Sequence, residues 1–176
     1  MGLERRPIIT NATVNELRKK NDAAWERLER QLAGMETHLE RAHAPGQWTT
    51  RQVLCHLLFE PGLRPTGLLE CFAVTDPPLI EIIPGVATVT AERGRMTLAE
   101  LTAALDAQRR QVFAYLETLG EPALGRKARI PLFEPIVGTD EITLAIFVGA
   151  MFDRHWHGHA DQLAQIRQAV GLPEMP

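Results

Sequence analysis

The segment Asp153-Arg154-His155-Trp156-His157-Gly158-His159-Ala160-Asp161-Gln162 holds half of the chain's six histidines within five residues. On a helix, His155 and His159 stand one turn apart on a single face, whereas His157 is rotated from His155 by about 200° and points away. The residues on either side keep the helical period. Leu144, Val148, Met151, Phe152, His155, His159, Leu163, Ile166 and Val170 form one stripe at three- and four-residue intervals. An alternating strand would put His155, His157 and His159 on one side together, but the periodicity around them is helical. The stripe therefore predicts a long last helix with two imidazoles on its core-facing side. Burying neutral imidazoles without partners costs energy, and burying charged ones costs far more. A metal ion shared by the two would satisfy both.

Working backward from that helix, Thr139 followed by Asp140 and Glu141 supplies its expected start, with acidic groups in the first turn. Gly171 and Pro173 supply its stop. A loop is expected over 125–138, where Pro131 and Pro135 bracket Leu132 and Phe133. Before it, Thr97-Leu98-Ala99-Glu100 has the form of a capping box. It should open a helix whose buried stripe is Leu98, Leu101, Leu105, Val112, Leu116 and Leu119, closed by Gly120 ahead of Pro122.

The first half of the chain reads the same way. Val14, Leu17, Ala24, Trp25, Leu28, Leu32, Met35 and Leu39 predict a long amphipathic helix from Asn11 to about Leu39. His38 and His43, near its end and in the following turn, are assigned to solvent. Ala44-Pro45-Gly46-Gln47 breaks the pattern, and Thr49 or Thr50 caps a short second helix running from Arg51 to about Glu60. On it His56 lies among Val53, Leu54, Leu57 and Leu58, in surroundings as apolar as those of the later pair. Thr66 to Ala73 can make a further turn or two before Asp76-Pro77-Pro78. Residues 79–95 read as a long connection, suited to a lid, a dimer contact or an insertion that covers the core.

Four helical segments with two long connections predict an all-α four-helix bundle. A chain of 176 residues is expected to form one domain over 1–176, with a short extension at 1–10. The net charge of −3 and the lack of a basic stripe argue against a nucleic-acid partner. No stretch has signal-peptide form or the length to span a bilayer, so no membrane partner and a cytoplasmic location are expected. Cys55 and Cys71 are expected to be thiols, Cys55 as a small buried residue.

Three histidines from two helices, His56, His155 and His159, are enough to hold a divalent ion such as zinc, nickel, iron(II) or copper by one face, leaving positions open for water or substrate. His157 is the rival ligand, disfavoured because residues two apart on a helix do not converge. Glu60, Asp153 and Gln162 are the nearby polar candidates for supporting the ligands or moving protons. Two classes of function follow: a metalloenzyme acting on a small molecule, and a non-catalytic binder in which the ion fastens one helix to another.

Two motifs bear on the choice. Trp48-Thr49, followed after six residues by His56-Leu57, and His155-x-x-x-His159-x-x-Gln162 resemble the opening and closing segments of the DinB/YfiT-like superfamily, in the same order. The resemblance covers most of the chain. It implies a four-helix bundle, often homodimeric, with His56, His155 and His159 as ligands to one ion. It further implies a metal-dependent enzyme that activates a low-molecular-weight thiol or water against a small electrophilic substrate; the superfamily includes thiol transferases, a thiol-dependent isomerase and, in the DfsB-like branch, a hydrolase. A common form of the family has Asp directly after the first histidine of the closing pair, where this chain has Trp156.

Overall fold

The computed structural model describes residues 11–74, 76–173 and 175, so the expected extension at 1–10 lies outside the described residues. Helix α1 spans Ala12–Leu32. Its cap is Asn11, whose side chain accepts a hydrogen bond from the Val14 amide at 3.0 Å. The expected run to Leu39 stops about two turns early. Ala33 leaves the helical region, Gly34 takes φ +76°, and a short 3₁₀ turn Glu36–His38 follows. Met35 and Leu39 keep their buried positions across this turn. The carbonyls that α1 leaves open are taken by Arg167, only 2% exposed, whose guanidinium donates to Gln31 and Ala33 and also to Pro173.

Helix α2, Thr50–Leu57, opens on a complete capping box between Thr49 and Gln52. It ends before the expected Glu60 because Gln108, buried on the opposite wall, intercepts both backbone groups at its end. Gln108 Nε2 donates to the Leu57 carbonyl at 2.9 Å, and the Phe59 amide donates to Gln108 Oε1 at 2.7 Å. A single turn, α3 (Gly67–Glu70), and a 3₁₀ turn Cys71–Ala73 occupy the stretch expected to be weakly helical.

The connection over 79–95 is irregular but fastened. Arg93 donates to the carbonyls of Cys55, Phe59 and Thr88, and Arg51 donates to those of Arg93 and Met96. Helix α4, Leu98–Glu117, begins with the predicted box between Thr97 and Glu100 and gives way to Thr118 just short of Gly120.

The loop expected over 125–138 contains more structure than its prolines suggest. After α5 (Glu121–Leu124), β1 (Lys127–Arg129) pairs antiparallel with β2 (Glu141–Thr143), with the one-turn α6 (Glu134–Val137) between them. This corrects the expected start of the last helix. Thr139, Asp140 and Glu141 are not its first turn, because Ala128 faces Ile142 in the pair and both are buried while their neighbours face out. Lys127 and Arg129 match Glu141 and Asp140 in ion pairs at 2.9 and 2.8 Å. Thr143 is the true cap, accepting from the Ile146 amide.

The last rod is made of α7 (Leu144–Gly149), a π turn at Ala150–Arg154 and α8 (His155–Ala169). In the π turn the His155 amide donates to the Ala150 carbonyl, five residues back. That extra residue shifts the phase of everything after it. The stripe predicted from sequence is consequently displaced: Phe152, Trp156, Ala160, Leu163 and Arg167 are buried, whereas Met151, His155, His159 and Val170 are only partly so. The two histidines therefore stand at the margin of the core rather than within it.

The four rods α1, α2, α4 and α7–α8 pack as a bundle, with α1 along α8 and the π turn, and α2 against α4 and α8. Trp156, 1% exposed, lies at the centre with Trp25 and Phe152, ring centroids 5.8 Å from each. A π turn interrupts the backbone ladder, and the Phe152 carbonyl finds a partner outside its own helix: Asn21 Nδ2 of α1 donates to it at 2.7 Å, fully buried. Asn21→Leu is expected to strand that carbonyl and lower stability by about 1–3 kcal/mol. Urea denaturation checks this, and an unchanged midpoint would mean that the π turn holds without α1.

Candidate metal centre

His56 enters the site from the last turn of α2, and His155 and His159 enter from the first turns of α8. The three rings meet. His155 Nε2 lies 2.9 Å from His56 Nε2 and 3.0 Å from His159 Nε2, and the three form a group whose ligand atoms all fall within 4.8 Å of one another. The π turn sets where His155 begins, and Gln108 sets where α2 ends, so both partners of this meeting are positioned by irregularities in the rods.

The outer ring atoms decide what the inner ones can be. His56 Nδ1 is 2.6 Å from the Val86 carbonyl, which can only accept, so that nitrogen carries the proton. His159 Nδ1 is 2.9 Å from Gln162 Oε1 and donates to it. The Met151 backbone, one turn earlier, opposes the lowering of the His155 pKa. With the protons held outward, the Nε2 lone pairs converge on one point. Lone pairs 2.9–3.0 Å apart repel unless a proton or a cation lies between them. A proton is disfavoured here. Burial, with smaller contributions from His159 and His56, pulls the His155 pKa down to about 3. Burial likewise lowers that of His159, against the opposing effect of its bond to Gln162.

The donor set therefore fits a metal ion. Two imidazole nitrogens at ~2.1 Å from one ion stand about 3.0 Å apart when they subtend a right angle and about 3.4 Å at the tetrahedral angle. The observed spacings fall at the lower of these. His56 and His159 already have the outer hydrogen-bond partner that such sites use to fix ring orientation. Trp48 walls one side, its ring 4.7 Å from that of His56 and stacked on His159 at 6.0 Å with planes 12° apart.

Above the three rings opens a cavity of about 810 Å³. Leu17, Ile82, Phe133, Ile136, Ile146 and Met151 give it an apolar lining, and Lys20, Asp153 and Arg154 are its charged members. The connection over 79–95 thus contributes directly, through Ile82–Gly85 in the wall and Val86 on His56.

Of the residues singled out in the sequence, His56, His155 and His159 come together. His157 does not; it faces the other way, with Nε2 3.4 Å from Asp153 Oδ1. Gln162 supports His159 as described, and Asp153 lines the cavity. Glu60 instead accepts the Thr88 hydroxyl at 2.8 Å and serves the connection. Trp156 occupies the core, so at this position the chain places a packing residue where a carboxylate is common in the family. Three contributors escaped the sequence. Val86 acts through its carbonyl, which leaves no trace in residue type. Gln108 and Asn21 are polar residues on otherwise apolar stripes, and that mismatch was the available signal.

A model of the DinB superfamily matches residues 20–163. No curated protein sequence matches the chain. Among solved structures, YfiT from Bacillus subtilis, reported as a probable metal-dependent hydrolase with an unusual four-helix bundle topology, superposes with a TM-score of 0.64. The identity is 18%, over 97% of this chain and 95% of that one, so the likeness is one of fold.

The depressed pKa of His155 predicts how the metal-free protein responds to acid. The unfolded chain takes up a proton near pH 6.5, which the folded state refuses until about pH 3. Stability is thus full above about pH 6.5 and falls as the pH drops toward 3, by the order of a few kcal/mol. His155→Gln should flatten that part of the profile in chelator-treated protein, as followed by denaturation at several pH values. An unaltered slope would mean that His155 is not held neutral by the fold.

Proposed function

The chain belongs to the DinB superfamily, and from that premise we propose that it is a metal-dependent enzyme whose His56, His155 and His159 hold one divalent transition ion, such as zinc, nickel or iron, beneath a small-molecule cavity. The observation that supports this best is the placement of the three Nε2 atoms: they converge at the floor of an open cavity and are not sealed in the core. An ion that only fastened α2 to α8 would be expected to be closed over by protein.

Such an ion lowers the pKa of a water or a low-molecular-weight thiol that it holds and draws electron density from an electrophile brought against it. The protein's own groups do the rest. Val86 and Gln162 keep the ring protons of His56 and His159 outward, so two of the three donors are oriented before any ion or substrate arrives. Trp48 covers one side of the triad and limits access of bulk water from there. Asp153 is the one carboxylate among the described residues lining the cavity, which makes it the proton acceptor available to a nucleophile activated there. The reaction class proposed is hydrolysis of, or thiol transfer to, a small electrophilic compound.

Metal analysis tests the ligand set. His56→Ala, His155→Ala and His159→Ala should each lose the ion while His157→Ala keeps it. Gln162→Leu should keep the ion with affinity weakened about 10–100-fold. Equal loss in His157→Ala, or full retention in His56→Ala, would refute the assignment. A panel of activated esters, and of electrophiles paired with glutathione-type thiols, should contain turnover that chelator abolishes and added metal restores; turnover indifferent to chelator would count against metal-dependent catalysis.

A further inference from the structure

The cavity has two unlike regions. Where α1 meets the π turn, Lys20 of α1 lines it together with Asp153 and Arg154, the two residues before His155 in the chain. Lys20 and Arg154 are exposed and form no ion pair among the described residues. Asp153 is turned to His157 at 3.4 Å. Together the three charged groups carry one net positive charge. Three neutral imidazoles would add nothing to offset an ion's two further positive charges, so this side of the cavity favours an anion.

The other region is aliphatic. Ile83 comes from the long connection, Ile136 and Val137 from α6, and Ile146 from α7; they converge on the mouth and are left exposed, Ile83 at 77%. Side chains from three separate segments make this more than a stray surface residue. A volume of about 810 Å³ suits a compound much larger than a water or a simple anion.

We infer that the ligand of this cavity is an amphiphilic anion: an aliphatic or aromatic body lying along Ile83, Ile136, Val137 and Ile146, with an acidic group beside Lys20 and Arg154 next to the histidines. The inference rests on the metal-dependent reading for where the reacting end sits. Anion recognition itself is assigned to side chains outside the triad, so the two can fail separately.

Titration calorimetry of the purified protein with octanoate, 1-octanol and acetate tests it. Octanoate should bind at least tenfold more tightly than either of the others, since only it has both the charge and the body. In the double variant Lys20→Gln with Arg154→Gln, octanoate should fall about tenfold toward octanol, with octanol unchanged. Ile146→Asp should weaken octanoate and octanol alike. Octanol binding as tightly as octanoate, acetate binding as tightly, no octanoate binding at all, or an unaffected double variant would each overturn the inference. The same titration in His56→Ala separates the two readings. A preference for octanoate that survives loss of the triad supports recognition by Lys20 and Arg154 whatever the metal analysis gives. A preference that vanishes with His56→Ala but persists in the double variant would place the anion on the ion and overturn the assignment.

Discussion

Three nitrogen lone pairs, that of His155 held within about 3 Å of the other two, are an electrostatic conflict. A fold that kept them there without a purpose would be less stable than one that let any ring turn. The rings of His56 and His159 are instead fixed from behind by acceptors, for His56 a backbone carbonyl that cannot reverse the bond. The conflict is therefore built in, and much of the molecule serves to maintain it. Arg93 and Arg51 clamp the connection that carries Val86, and Gln108 fixes the end of the helix that carries His56.

The last rod contributes a less usual device. A regular helix from Leu144 onward would have kept the histidines and the apolar residues on one stripe, which is how the sequence reads. Inserting the π turn rotates α8 so that Trp156, not His155, points at the core, and the imidazoles emerge at its edge, facing the cavity. The carbonyl accepting from α1 is then not a detail. Asn21, buried on an apolar face, donates to a carbonyl of the π turn, and α1 is thereby joined to the turn that sets where His155 stands.

The parts of the fold governed by local chemistry were readable in the residues. Asn11, Thr49 and Thr97 announce three helix starts, and the apolar stripes of α1 and α4 run as the spacing says. The histidine triad was legible too, because residues four apart on a helix share a face with or without a shift in phase. What could not be read depends on partners distant in sequence. Helix α2 is cut short by Gln108, some fifty residues later. Asp140 and Glu141 look like a helix start until Arg129 and Lys127 pair with them and Ile142 meets Ala128. The π turn has no signature in residue type, so the sequence put the histidines inside the core rather than at its rim. The matter of Trp156 follows from the same shift: on the rotated helix its position faces Trp25 and Phe152, where a carboxylate would be shut away from solvent.

A donor set made only of neutral imidazoles has a consequence for selectivity. It leaves the charge of an ion undiminished, in contrast to a site with carboxylate or thiolate ligands, and it does so at the floor of a largely apolar cavity. Electrostatic attraction in such a place is strong but carries little information about the shape of what is attracted. Discrimination must therefore come from the walls. Those walls are drawn from α1 and the π turn, which supply Lys20, Asp153 and Arg154, and from the connection over 79–95, α6 and the start of α7, which supply exposed aliphatic residues. Most of the residues that would choose the molecule are thus distinct from the triad: the histidines stand on α2 and α8, and the rest of the wall is drawn mainly from α1, the π turn, α7 and the connections between rods.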